Sequence, residues 1–405
     1  MNIPKKRLEF LDWELGVFFH FGIRTFYEGH KDWDMKPMPQ DRFNPEKLDC
    51  EQWIKTIKAA GATYAILVCK HHDGFANWPS KYSDYSVAST PWRGGKGDLV
   101  KDFCEACRKH DIKVGLYYSP AQFGSNKMNA EEYDDYFINQ ISELLTGYGK
   151  IDYLWFDGCG SEGHKYDTKR ITAEIRALQP EILIFNMWDP DTRWIGNESG
   201  VASMTDKPEV NSLAFSVQTD VEDALDEDVF LPGECDFRIR KQWFYSDADA
   251  DTLKSLDELW ALYLNSVGHG ANMLLNIAPD RRGLIMDSDA ERFLELGNKI
   301  RSELGSPVAS FQDFKREGDS FICEFGKDIS LKYIVIEEDL REGSAVEDYS
   351  IGILPTEYGK EKLVFRGFNI GHKAICPLNH LSGRGITLNI REFTKPYSIK
   401  SIKVY

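Results

Sequence analysis

Through its first three hundred residues the chain alternates short apolar runs with longer stretches whose apolar residues recur every three or four positions. That alternation is the pattern of parallel strands covered by helices. Runs at 16–21, 63–69, 112–118, 151–156 and 182–187 read as strands. Between them, Trp53, Ile54, Ile57 and Ala60 form a helical stripe ended by Gly61, with Asp49 and Gln52 at capping spacing before it. A second helix carries Leu99, Val100, Phe103, Cys104 and Cys107; a third opens at Asn129 and Glu132; a fourth covers 167–178 and stops at Pro180. Residues 188–228 are polar, aromatic and weakly periodic, as long functional loops are. Regularity returns with a strand at 229–232, a helix over 253–267, a strand over 273–277 and a last helix, boxed by Ser288 and Glu291, that runs to Leu304. Seven or eight strand–helix units in this length predict an α/β fold, a (β/α)8 TIM-like barrel. A doubly wound open sheet would prefer a glycine-rich turn after the first strand, and none is there.

Beyond residue 307 the pattern changes to short β-rich runs separated by Gly, Asp and Pro turns, without helical periodicity. This predicts a small antiparallel β-sandwich. The expected division is a catalytic barrel over 1–306 and a C-terminal sandwich over 307–405.

Charge and cysteine usage narrow the functional classes. The net charge of −16 argues against nucleic acid and against an anionic membrane surface as partners. The apolar run at 64–69 is far too short to cross a bilayer. No apolar leader occurs before Asp12, so a cytoplasmic enzyme is expected. The eight cysteines are scattered and read as reduced. Cys104 and Cys107 form a C-x-x-C, but their helical spacing makes them core thiols rather than a redox or metal pair. No cofactor and no metal are expected.

In a TIM barrel, ligands bind at the C-terminal ends of the strands. Those ends carry His20-Phe21-Gly22, Lys70-His71-His72-Asp73-Gly74, Tyr117-Tyr118, Trp155-Phe156-Asp157-Gly158 and Asn186-Met187-Trp188-Asp189. The stretch after Val229 adds Glu234, Asp236, Arg238, Arg240 and Trp243. A ring of His, Tyr, Trp and carboxylates suits a neutral, hydroxyl-rich ligand, and the ten tryptophans fit stacking on a sugar face. Each residue also has a plainer role open to it. A histidine after a strand is often structural, and Asp157 could cap the next segment. Adjacent residues such as His71 and His72 would point to opposite faces of a strand, which disfavours their chelating one metal. Glycoside hydrolysis needs two carboxylates, and Asp157 with Glu234 would supply them from different strand ends; a gap of ~5–5.5 Å would mean retention of configuration.

Several ordered strings sharpen this reading. They are Trp13-Glu14-Leu15-Gly16-Val17-Phe18-Phe19-His20-Phe21-Gly22, Phe43-Asn44-Pro45, Lys70-His71-His72-Asp73-Gly74-Phe75, Gly115-Leu116-Tyr117-Tyr118-Ser119 and Leu154-Trp155-Phe156-Asp157-Gly158. After them come Arg193-Trp194-Ile195-Gly196-Asn197-Glu198, Gly233-Glu234-Cys235-Asp236 and the run from Asn272 to Asp280. With these, from about Leu11 to the C-terminus, the chain resembles the family 29 glycoside hydrolases, the α-L-fucosidases.

The resemblance implies that Asp157 is the nucleophile of a retaining mechanism. It implies that Glu234 is the acid/base of the subgroup acting on α-1,3 and α-1,4 fucosides. It also implies that His20, His71, His72 and Tyr118 hold fucose hydroxyls, and that Trp33 and Trp155 wall the sugar. Asp32 stands where many relatives have Glu, and is kept as a hydroxyl contact. Arg240 and Trp243 are expected to touch substrate, although Lys241-Gln242 replaces the subgroup's Pro-Gly and puts the preference for the leaving sugar in doubt. The expected partner is a fucosylated oligosaccharide, and a homo-oligomer is compatible with the sequence. The alternatives are a fucosidase of broader or α-1,2 preference, a hydrolase of a related sugar, and a catalytically silent carbohydrate-binding barrel.

Overall fold

The computed structural model describes residues 3–29, 37–121, 128–161, 163–217, 219–355 and 360–405. A short helix α1 (Lys5–Leu11) precedes the first barrel strand, β1 (Leu15–Phe19). Then follow α2 (Cys50–Ala60), β2 (Tyr64–Lys70), α3 (Leu99–Lys109), β3 (Lys113–Tyr118), α4 (Ala130–Gly147), β4 (Tyr153–Phe156), α5 (Thr168–Leu178) and β5 (Leu183–Phe185). No helix follows β5: the chain enters the two-residue β6 (Arg193–Trp194) and then a hairpin of β7 (Glu209–Ser216) and β8 (Thr219–Phe230). The barrel resumes with β9 (Gly233–Arg238), α6 (Leu256–Ser266), β10 (Asn272–Asn276) and α7 (Asp287–Leu304).

The barrel strands pair in parallel in the order β5-β4-β3-β2-β1-β10-β9-β6. A parallel bridge between Phe185 and Thr192 brings the two ends of the sheet together. The expected eight strands are therefore present, but the unit around β5 and β6 lacks its helix. The strand expected at 229–232 is corrected: Val229 and Phe230 end the hairpin, and the barrel strand starts at Gly233. The helix starts agree better. Asp49 accepts from the Gln52 N–H at 3.0 Å, and Asn129 forms a capping box with Glu132. The box expected at Ser288 and Glu291 is absent, because α7 begins at Asp287 behind Met286.

Strand alternation divides the barrel into two apolar layers. Phe18, Tyr64, Ile66, Val68, Tyr117, Tyr153, Trp155, Phe185 and Leu274 point inward, and Phe10 and Trp13 pack against them. Val17, Phe19, Ala65, Leu67, Leu116, Tyr118, Leu154 and Phe156 point outward into the helical shell, where Cys104 and Cys107 are also buried. The eight cysteines are unbridged and buried.

The C-terminal part is an antiparallel sandwich of β11 (Ala309–Ser310), β12 (Lys315–Glu317), β13 (Ser320–Glu338), β14 (Val346–Leu354), β15 (Lys362–Gly367), β16 (Ala374–Phe393) and β17 (Ile399–Val404). The long strands β13 and β16 pair with register shifts between Glu324 and Ile329 and between Leu331 and Tyr333. Their shared core includes Phe321, Leu331, Ile334, Ile351, Leu388 and Ile402.

The sandwich grips the base of the β7–β8 hairpin. Glu209 accepts from Ser344 N and Oγ at 2.7 and 2.5 Å, and Lys207 pairs with Glu347. The far end of the same hairpin lies against the loop that follows β4, where a Cβ on Gly158 would sit 2.1 Å from the Phe215 carbonyl oxygen. No helix among the described residues is long and apolar enough to cross a membrane.

Candidate active site

A cavity of about 560 Å³ opens at the C-terminal ends of the barrel strands. Its floor is aromatic. Trp155 stacks on Phe185 (4.1 Å between centroids, 11°) and on Tyr117 (5.4 Å, 24°), with the edge of Phe18 against it at 5.2 Å.

Asp157 follows β4 directly and keeps a quarter of its side chain exposed. Both of its oxygens are held. Oδ1 accepts from the Cys159 N–H at 2.9 Å, and Oδ2 accepts from the Tyr117 hydroxyl at 2.8 Å. His72 Nε2 is 3.4 Å from Oδ2, while its Nδ1 lies 2.6 Å from Ser119 Oγ. The carboxylate is thus oriented toward the cavity by a backbone donor and a phenol.

His71 and His72 both line the cavity, with ring centroids 4.2 Å apart. The expectation that they face opposite ways is corrected: β2 ends at Lys70, so strand alternation no longer applies to them. Ligand atoms of His71, His72 and Asp157 lie within 4.8 Å of one another. His20 pairs with Asn276 Oδ1 at 2.7 Å and lies 4.9 Å from the Trp243 ring. Burial pushes the His20 imidazole down to about 3 and His71 well below its ordinary value. These two rings are therefore neutral at physiological pH; His20 donates from Nδ1 to Asn276 and keeps Nε2 as an acceptor, while His71 carries one donor and one acceptor nitrogen. That is the equipment for sugar hydroxyls.

A second carboxyl faces the same cavity, and it is Glu198 rather than Glu234. Glu198 lies on the loop after β6, with Arg238 Nη2 3.7 Å from its Oε2 and about a third of its side chain exposed. Burial raises its pKa first; the Arg238 charge lowers it, and the negative charge of Asp157 raises it. A third acid, Asp236, accepts from Trp194 Nε1 at 2.7 Å, and burial followed by the charge of Glu198 holds it well above the carboxylate range.

Three sequence expectations are corrected. Glu234 is the second residue of β9, so it enters the barrel one layer below the cavity, with no exposure. Its neighbours two and four positions on, Asp236 and Arg238, share its face and reach the cavity instead. Tyr118 points outward; its hydroxyl donates to Gln140 Oε1 at 2.7 Å and Lys70 sits over its ring. The inward residue is Tyr117. Arg240 is buried in a two-pronged pair with Asp289 (Nε–Oδ2 3.1 Å, Nη2–Oδ1 2.6 Å) and also donates to the Asp249 carbonyl, so it braces the loop rather than lining the cavity.

His20, His71, His72, Trp155, Asp157 and Trp243 are brought together as expected. Asp32 and Trp33 lie outside the described residues. Sequence reasoning places Tyr117, Asp236 and Arg238 at strand ends without giving them a role, and quotes Glu198 only as the end of a string. The period of two along β3 and β9 carries the signal for Tyr117, Asp236 and Arg238, and Glu198 ends the string that begins at Arg193.

Comparison with known proteins agrees with this chemistry. The alpha-L-fucosidase family model matches residues 3–303. Alpha-L-fucosidase 1 of Arabidopsis thaliana is 31% identical over 431 residues, covering 95% of this chain and 84% of its own length. Tissue alpha-L-fucosidase of Mus musculus is 25% identical over 331 residues, covering 71% and 68%. Among solved structures, a glycoside hydrolase 29 family member from an unknown rumen bacterium aligns with a TM-score of 0.89 at 30% identity, over 100% of this chain and 77% of that one. A Ruminococcus gnavus GH29 fucosidase solved with fucose aligns with a TM-score of 0.86 at 25% identity, over 100% and 94%. The cavity, the fold and the family match converge on one assignment: this chain belongs to the α-L-fucosidases of glycoside hydrolase family 29.

Proposed function

We propose that the enzyme releases terminal α-L-fucose by double displacement, with Asp157 as nucleophile and Glu198 as acid/base. The observation that carries this reading is the shared cavity of the two carboxyls. Asp157 has both oxygens oriented by donors, and Glu198 is held toward its protonated form partly by the charge of Asp157. In the first step Asp157 attacks the anomeric carbon, the bond to the leaving oxygen breaks, and the proton of Glu198 passes to that oxygen. In the second, ionised Glu198 takes a proton from water, which attacks the anomeric carbon and frees the Asp157 carboxylate. Glu234, sealed beneath Trp155, has no path to a leaving group.

The neutral His20 and His71, with His72, suit the fucose hydroxyls, and the slab of Trp155, Tyr117 and Phe18 suits its apolar face and C5 methyl. For the linkage we favour α-1,3 and α-1,4 branched fucosides. Tyr27 and Tyr245 line the cavity on loops tied by Arg281 to Glu28 and Asp247, and their aromatic faces suit a branched leaving sugar. The test is fucose release from an aryl α-L-fucoside, an α-1,2-fucosyl disaccharide and α-1,3/1,4-fucosylated trisaccharides. Release from the branched substrates with little from the α-1,2 one supports the linkage; the reverse order overturns it. Asp157→Ala is expected to abolish turnover of all of them.

A further inference from the structure

A carboxyl sealed inside an aromatic barrel needs a reason, because burying it is costly unless every lone pair is met. Glu234 is met by donors alone. Its Oε2 accepts from the Tyr64 hydroxyl at 2.7 Å, and its Oε1 accepts from Trp155 Nε1 at 2.8 Å and from the Tyr153 hydroxyl at 3.3 Å. The barrel makes room for this arrangement. A Cβ on Gly16 would fall 2.2 Å from the Tyr64 ring, so only glycine on β1 lets that phenol reach the carboxyl.

The bond to Trp155 leads to the chemistry. An indole N–H can only donate, so without an acceptor Trp155 would bury an unsatisfied donor and lose the hydrogen bond that fixes its ring within the aromatic stack. That ring is the cavity floor, and Tyr117 stacks on it at 5.4 Å and 24°. The Tyr117 hydroxyl in turn holds Asp157 Oδ2 at 2.8 Å. Three consecutive contacts thus run from Glu234 to the nucleophile.

We propose that Glu234 is a positioning residue: by anchoring the Trp155 indole it fixes the floor on which Tyr117 rests, and so the orientation of the Asp157 carboxylate. The proposal rests on Asp157 being the nucleophile. Its effect belongs to the attack on the anomeric carbon, not to proton transfer, and that difference makes it testable.

The experiment compares Glu234→Leu, Glu234→Asp and Glu234→Gln with the parent on an activated aryl α-L-fucoside and on a fucosylated trisaccharide. Rates are normalised to folded protein by thermal unfolding and near-ultraviolet circular dichroism, and Asp157→Ala and Glu198→Gln are run beside them. Leucine removes the acceptor, and aspartate draws it back by one methylene. Each is expected to lower kcat by about 10- to 100-fold, by the same factor on both substrates and with KM within a few-fold, as misplacement of a reacting group does. Glutamine still accepts from Trp155 and can donate to Tyr64, so it is expected to stay within about threefold of the parent.

Parental kcat in the leucine and aspartate variants, with Asp157→Ala dead, overturns the proposal and leaves the nucleophile standing. A loss far larger on the trisaccharide than on the aryl fucoside, with azide restoring turnover of the aryl fucoside, overturns it too, by making Glu234 the acid/base. An active Asp157→Ala overturns the nucleophile and, with it, the last link of the chain. Should the leucine variant fail to fold, the aspartate and glutamine pair carries the same comparison.

Discussion

The Tyr117 hydroxyl donates to Asp157 Oδ2 at 2.8 Å, while Tyr118, the next residue of the strand, sends its hydroxyl the opposite way to Gln140 at 2.7 Å. One strand therefore serves the cavity with one phenol and the helical shell with the other. Tyr117→Phe is expected to lower kcat on an aryl α-L-fucoside by about tenfold, the size of one hydrogen bond to a charged group. Tyr118→Phe is expected to leave kcat unchanged and to cost ~1 kcal/mol of stability, because Gln140 loses a buried partner. Steady-state kinetics and denaturant unfolding of the two variants separate these effects.

Glu198→Gln is expected to depend on the leaving group. Turnover of a fucosylated trisaccharide falls by about 10²- to 10⁴-fold, the usual range for a lost general acid, while departure of an activated phenol is nearly spared. On the aryl fucoside, azide is expected to speed turnover by capturing the covalent intermediate with retained configuration. Because burial raises the pKa of Glu198, the protonated acid persists above the ordinary carboxylate range, and kcat/KM falls as pH rises through the shifted value. The glutamine variant is expected to lack that alkaline limb. A parental profile in the variant assigns the acid elsewhere.

Glu338 offers a stability test remote from the cavity. Its Oε1 accepts from the Ala345 and Val346 N–H groups, and burial raises its carboxyl to about 7. A raised folded-state pKa favours the protonated carboxyl. Its contribution is fully present below ~4.5 and is lost as pH rises through about 7. Glu338→Gln is therefore expected to gain on the order of 1–3 kcal/mol over the parent at pH 8 and nothing at pH 4. Unfolding curves at the two pH values decide it; an equal effect at both removes the titration as the cause.

The Arg240–Asp289 pair is expected to matter to folding and not to turnover. Asp289→Ala leaves a buried guanidinium without its carboxylate, which costs about 3–5 kcal/mol. Turnover per folded molecule on the aryl fucoside is expected to hold. A loss of turnover with unchanged stability would return Arg240 to the substrate.

The fold was legible where period and punctuation agreed. The alternation that marks β2 to β4 and their helices follows from burying each strand on both faces, and Asp49 and Asn129 cap where their spacing says they should. It failed where tertiary context decides. The β7–β8 hairpin reads as a loop because β8 is rich in acids and β7 mixes polar and apolar residues with only Leu213 and Ser216 buried, so no apolar alternation marks them. Missing that hairpin moved the next strand four residues early, and with it the depth of Glu234. The error is one of register: in a strand, two residues separate the sealed Glu234 from Asp236 at the cavity, and a single step separates Tyr117 from Tyr118. Glu198 escaped because its loop has no period at all. Nothing local tells a rim carboxylate from a solvated one; only closure of the barrel brings it to the cavity that Asp157 lines.

The hairpin that replaces a barrel helix also sets a rule for rearranging this protein. Its root is held by Glu209 and Lys207 to the sandwich, and Phe215 near its tip rests on Gly158, one residue past Asp157. A barrel cut free at its last helix would keep all of its strands but lose the mooring of one wall. Chimeras that trade C-terminal domains between such enzymes must carry the hairpin along with the domain that anchors it, because what looks like an appendage is the outer frame of the pocket.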